Sequence, residues 1–279
     1  MVTTAQEMSS RKIAELQTRS DDAVRSAPAD LGLLERRVAL TRAKLAGLLD
    51  QPIQERAAPD GLRLAATAAD EEHAHPSDPS PLWQDLVNAR AQLYTDWHGS
   101  TRSYVVALMH GGGGSGIKRP LGASETTILV RVLCGTQQKA VACDLNIAHS
   151  TASKRHALAL GALDIRRRAA PLPLVVLAQH AAGAIHATWA RLCLFEYQGC
   201  SFTVISVSRP RIPHESRLTA SERDVAARFI EGGSRWDIAR ARSTSEQTVS
   251  CQLRGIFAKL QLSGRNAAIL RAAQLGWLQ

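Results

Sequence analysis

Cysteines, histidines and one glycine run are the residues through which this 279-residue chain could do covalent, metal or phosphate chemistry. The cysteines (Cys134, Cys143, Cys193, Cys200 and Cys251) are odd in number and form no C-x-x-C pair, so they signal neither a disulfide framework nor a zinc cage. His149 and His156, and the Glu71–His75 stretch EEHAH, lack a completing ligand set and read as surface or partly packed side chains. In HGGGGSGIKRP, Ile117 separates Gly116 from Lys118, whereas a phosphate loop needs Gly-Lys-Ser/Thr opening a helix; the run reads as a linker. No nucleophile, base and oxyanion set can be named, so a non-enzymatic protein without a cofactor is expected.

What remains is non-covalent chemistry, and it centres on STSEQTVSCQLRGIFAKL, Ser243 to Leu260. Val249, Leu253, Ile256 and Leu260 recur at spacings of four, three and four, which predicts a helix with one buried side. Its outer side carries Ser250 and Cys251, where a DNA-reading helix would offer Lys, Asn or Gln. Upstream, Thr219 or Ser221 can cap a helix through ERDVAARFIEGG, with Glu222 at its positive end and Gly232-Gly233 ending it. Ser234 opens a short helix, SRWDIARAR, and Ser245 caps the next; RNAAILRAAQLG closes the bundle. Two helices joined by a tight turn, the second longer and polar outside, is the arrangement that places one helix in the major groove; an ordinary helical bundle would show the same amphipathic pattern.

Charge placement agrees with a polyanion partner. Residues 1–80 hold 10 Lys/Arg against 13 Asp/Glu, a net of −3, and residues 81–279 hold 24 against 12, a net of +12. The start, MVTTAQEMSSRKIAELQ, has no apolar signal core, and the longest apolar run (PLPLVVLAQHAAGAI) is broken by proline and polar residues, so a soluble cytoplasmic protein away from membranes is expected.

The block also has a second copy. Leu121 to Arg168 aligns without a gap on Leu218 to Arg265, with 11 of 48 pairs identical, at helix starts, stops and turns. Each block follows a helical stretch and a β-rich pair of runs, around His98-Gly99 and around Gln198-Gly199. The expected fold is mainly α with small β-hairpins (α+β), in two repeated modules, 81–180 (helix-turn-helix about 121–168) and 181–279 (helix-turn-helix about 216–279). Residues 1–80 are expected to be a helical, partly disordered extension: Leu31, Leu34, Val38, Thr41, Leu45 and Leu48 form a helical stripe, and Asp50 to Pro81 reads as a loose linker.

The second block, LTASERDV…EGGSRWDIARARSTSEQTVSCQLRGIFAKL…GR, resembles the LuxR-type (GerE/FixJ-like) DNA-binding domain, a bacterial helix-turn-helix family; the first looks like a diverged copy. The resemblance implies base-facing positions one, two and five residues past the Thr-Val pair. These are Ser250, Cys251 and Arg254, with counterparts Ser153, Lys154 and Ala157, and Arg155 alongside. It also implies that Thr248, Lys259 and Arg265, and in the first block Thr151 and Arg168, contact phosphate or anchor the helix. Arg254 can pair bidentately with guanine, which Ser and Cys cannot, and Lys154 is the matching choice in the first block. Both blocks depart from the family: Arg242 and Thr244, and in the first block Ala152 and His156, stand where aliphatic core residues are usual.

The function implied is a sequence-specific transcription regulator on double-stranded DNA, nucleoid-associated, acting as a homodimer or as a tandem reader. The alternative is an interaction protein that binds another regulator or RNA polymerase with DNA contact reduced or lost. A sigma-factor-like promoter reader is a third option, for which no second promoter-melting region is evident.

Overall fold

The computed structural model describes residues 59–72, 78–110, 119–165, 169–187 and 189–278. The Leu31–Leu48 stripe, the glycine run at 111–118, His73 to His75 and Arg168 lie outside them. Among the described residues there are ten helices and four strands: α1 (Asp60–Glu72), α2 (Ser80–Val87), β1 (Ala91–His98), β2 (Arg102–Met109), α3 (Ala123–Leu133), α4 (Gln138–Asp144), α5 (His149–Ala162), α6 (Leu172–Ala181), β3 (Arg191–Tyr197), β4 (Cys200–Ser208), α7 (Ala220–Glu231), α8 (Arg235–Ala241), α9 (Glu246–Leu260) and α10 (Arg265–Gln274). The fold is α+β.

The two hairpins are not separate. They join into one four-stranded antiparallel sheet of order β1-β2-β4-β3. The first turn centres on Ser100 and Thr101, just past the expected place, with Gly99 N–H donating to the Arg102 carbonyl. The second turns at Gln198 and Gly199, both at positive φ, as a two-residue turn that matches strand twist requires. Where the hairpins meet, Val106 pairs with Val204, and each lies five residues beyond the second residue of its own turn. Long-range pairing of this kind has no local sequence signal.

Each sheet face buries a different layer. One face, with Leu93, Val105, Ala107, Ile205 and Val207, packs on α2 and α6 in the main core, which also takes in α10. The other, with Tyr94, Tyr104, Val106, Phe202 and Val204, is covered by Leu62, Ala66 and Ala69 of α1. Part of the stretch expected as loose linker is therefore a packed helix. It is registered by Asp70, whose carboxylate accepts from Ser206 Oγ and lies 3.5 Å from Arg102 and from Arg191.

The helical stretch expected just before the second hairpin is not found there among the described residues: Ile185–Ala187 and Trp189–Ala190 are irregular. The helix lies earlier, in the proline-flanked apolar run. Proline is tolerated in a first helical turn, where amide donors lack helical acceptors anyway, and Leu172 to Gln179 of α6 are all buried.

Helices α3, α4 and α5 open at Ala123, Gln138 and His149, and α7, α8 and α9 at Ala220, Arg235 and Glu246, which are aligned pairs in the ungapped comparison. Their starts differ chemically. Thr219, Ser234 and Ser245 each accept a backbone N–H at the N-terminus of α7, α8 and α9. Gly122, Gln137 and Ala148 make no such side-chain bond for α3, α4 and α5.

Candidate nucleic-acid interface

The α7–α8–α9 unit has its own core of Leu218, Val225, Ala226, Ile238, Ala239, Val249, Leu253 and Ile256. Burial of Val249, Leu253 and Ile256 fixes the rotation of α9, so Gln247, Thr248, Cys251, Arg254 and Ala258 face outward. Arg242, at a position usually aliphatic, keeps this unit closed by another means. Its guanidinium donates to Asp224, to the Ser221 carbonyl and to Ser221 Oγ, spanning from the α8–α9 turn to α7.

The expected site residues divide into free and committed groups. Arg254 is exposed and makes no hydrogen bond or ion pair among the described residues, and the same is true of Lys154 on α5. Cys251 is an exposed free thiol. Ser250 is half-buried, and its Oγ accepts a long hydrogen bond, 3.4 Å, from Arg235. Thr248 is exposed, with its hydroxyl 2.9 Å from Ser245 Oγ at the start of α9.

Lys259 is committed: its Nζ lies 2.7 Å from both carboxylate oxygens of Glu222. That contact, followed by the Thr219 amide, holds the Glu222 carboxyl below its ordinary range. Of the two roles expected of Arg265, phosphate contact or anchoring, its geometry is that of an anchor. It donates to the carbonyls of Phe229 and Ile230, closing the end of α7, and to Ala170 in the other half of the chain. Burial pushes its guanidinium down to about 10.

In the first block, Thr151, Ser153 and Arg155 are half-buried on α5. His156 is half-buried beside Gln138, with a 2.8 Å contact, and burial lowers its imidazole below the ordinary value. Beside Lys154, the outer face of α5 shows Ala157 and Leu158, the latter 48% exposed. It is a poorer reading face than that of α9.

Sequence reasoning missed a strip on α8. Arg235 reaches α9 at Ser250, Trp236 is 53% exposed, and Arg240 lies over the Trp236 ring at 5.2 Å. The signal was present in SRWDIARAR, where the Trp236 indole and the guanidiniums of Arg235 and Arg240 fall outside the buried pair Ile238 and Ala239.

Helices α7 to α10 thus form a helix-turn-helix bundle with a basic, partly unpartnered outer surface. Residues 216–272 match the family described as bacterial regulatory proteins, luxR family (GerE), so this part of the chain is similar to a LuxR-type helix-turn-helix domain. No curated protein and no solved structure matches the chain. Among the described residues no helix is long and apolar enough to cross a membrane, and no group of three or more His, Cys, Asp or Glu is placed to hold a metal ion.

Proposed function

We propose that the chain is a sequence-specific DNA-binding transcription regulator that inserts α9 into the major groove and reads bases chiefly with Arg254. One observation carries the reading: within a LuxR-type domain, a guanidinium with no partner among the described residues stands on the outer face of a helix whose other side is locked into a core. Such a group can make the bidentate contact to guanine, while Ser250 supplies one hydrogen bond and Cys251 apolar contact to a thymine methyl.

We also propose that the chain is a duplicated module, with α5 as a second reader through Lys154. The aligned helix starts and the Val106–Val204 pairing support an internal two-fold arrangement. Two tethered readers raise the local concentration of the second contact, so weak readout by each unit can still add to useful affinity. A homodimer of whole chains is the competing assembly, and the expected setting is the chromosome in the cytoplasm.

The rival reading, docking to another regulator or to RNA polymerase, is favoured by exposed Trp236 and Leu158, side chains of the kind that anchor protein interfaces. Selection of bound sequences from random duplex DNA by the full chain separates the two. Enrichment of a defined sequence supports the regulator reading; no enrichment at low salt defeats it. Two unlike half-sites support tandem reading, and a palindrome supports the homodimer.

A further inference from the structure

Gln179 is fully buried in α6, in a stretch whose other residues from Leu172 to Ala178 are all apolar. Its Nε2 donates to the carbonyl of Leu133, at the end of α3, at 2.9 Å, and to that of Asn266, at the start of α10, at 3.1 Å. Its Oε1 has no hydrogen-bond partner among the described residues. A buried amide with one end unpaired is a poor stabiliser, because its desolvation is only partly repaid. A methionine would fill similar space without the unpaired oxygen, but would leave the Leu133 and Asn266 carbonyls without this donor.

What such a group does supply is a unique register. Apolar helix faces pack in several nearby arrangements of similar energy, whereas an amide with two fixed acceptors accepts only one. The two acceptors here belong to different halves of the molecule. Around them, Asn266 Nδ2 donates to the Val132 carbonyl at 2.9 Å, and Ser263 Oγ to the Gly135 carbonyl at 3.2 Å. Gly135, at φ +90°, lies so close to Ala267 that an added Cβ would meet its backbone at 2.8 Å. The turn after α3 is thus keyed into the turn before α10.

Both reader helices are rooted in the core this joint organises. Ala159 of α5 and the following Leu163 and Ile165 are buried in it, and Leu260 and Leu262, at and after the end of α9, pack against it. Any slip between α6 and α10 would change the distance and angle between α5 and α9.

Resting on the tandem-reader proposal, we infer that Gln179 is a positioning residue that fixes the spacing between two DNA half-sites read by one chain. One inserted base pair moves a half-site by about 3.4 Å and turns it by about a tenth of a helical turn. A body keyed in this way does not follow such a shift.

The test uses the full chain and its selected duplex, with one or two base pairs added to or removed from between the half-sites. The native protein is expected to lose at least about tenfold in affinity for each altered spacer, by the mismatch penalties usual for specific sites. Gln179→Met is expected to remain folded, to hold the best spacer within about threefold, and to discriminate among spacers by less than about threefold. Gly135→Ala, which wedges the same joint, is expected to move or broaden the spacer optimum while single half-site binding persists. Native binding indifferent to spacer length, a footprint covering one half-site, or both variants keeping the native spacer profile would overturn the inference while leaving DNA reading by α9 intact. Failure to select any sequence would overturn both.

Discussion

The ammonium of Lys259 sits 2.7 Å from each carboxylate oxygen of Glu222, tying the last turn of α9 to the first turn of α7. Glu222 also accepts from the Thr219 amide, so one carboxylate closes a helix start and holds a cation that would otherwise be available to phosphate. The aligned partner of Glu222 is Glu125, which is held by Arg119 instead, and Ala162 stands where Lys259 would be.

Replacing Glu222 by Gln keeps a side chain able to cap Thr219 but removes the ion pair. Because the pair is partly exposed, stability is expected to fall by no more than about 1 kcal/mol. DNA affinity is expected to rise at low salt, with the slope of log K against log salt steeper by about 0.9 as Lys259 gains a phosphate. Equilibrium binding from 50 to 200 mM salt checks this; an unchanged slope would show that Lys259 does not reach DNA even when freed.

The caps predict unequal local stability in the two helix trios. Ser245→Ala removes the hydroxyl that accepts from Thr248 N–H and is expected to cost about 1 kcal/mol, read as a lower denaturation midpoint. Ala148→Ser, at the uncapped start of α5, is expected to stabilise by about 0.5–1 kcal/mol. A stabilising Ser245→Ala would mean that the start of α9 is held by something other than its cap.

Glu125 carries a pH dependence. Two hydrogen bonds from Arg119 and one from the Gly122 amide lower its carboxyl from 4.5 to about 2. A depressed carboxyl stabilises the fold above its unfolded value, and that contribution is lost as pH falls from about 4.5 toward 2. Arg119 is largely exposed, so the loss is expected to be about 1 kcal/mol rather than the full linkage value. Urea unfolding at pH 5 and at pH 2.5 should show a smaller acid loss in Arg119→Ala than in the native chain; equal losses would place the acid sensitivity elsewhere.

Lys154 separates one reader from two. If α5 touches DNA, Lys154→Ala is expected to weaken binding by about 1 kcal/mol or more and to relax preference in one half-site only. Unchanged affinity and salt slope would leave α5 as a packing unit.

The helix-turn-helix was legible because its signals are local. Thr219, Ser234 and Ser245 cap where hydroxyls precede amphipathic runs, and Gly232 ends α7 in the left-handed region that glycine favours. Both hairpins were legible from β-rich runs flanking a glycine. The single sheet was not, because the Val106–Val204 pairing joins segments that carry no mark of each other. Helix α6 was obscured because burial on every side removes the amphipathic period and leaves an apolar run that opens on two prolines, Pro171 and Pro173. Among site residues, Arg254 and Lys154 are exposed, while Lys259 and Arg265 have intramolecular partners that only the folded chain brings near. Trp236 and Arg240 escaped notice because neither belongs to the Thr-Val segment on which attention falls.

The most direct test of base reading by α9 is the affinity of the native chain and of Arg254→Ala for the selected duplex and for every single-base change in it. The substitution is expected to cost about 1–3 kcal/mol on the best sequence and to abolish discrimination at one guanine while leaving the other positions unchanged. A uniform loss across all sequences, with a salt slope shallower by about 1, would assign Arg254 to phosphate and contradict it.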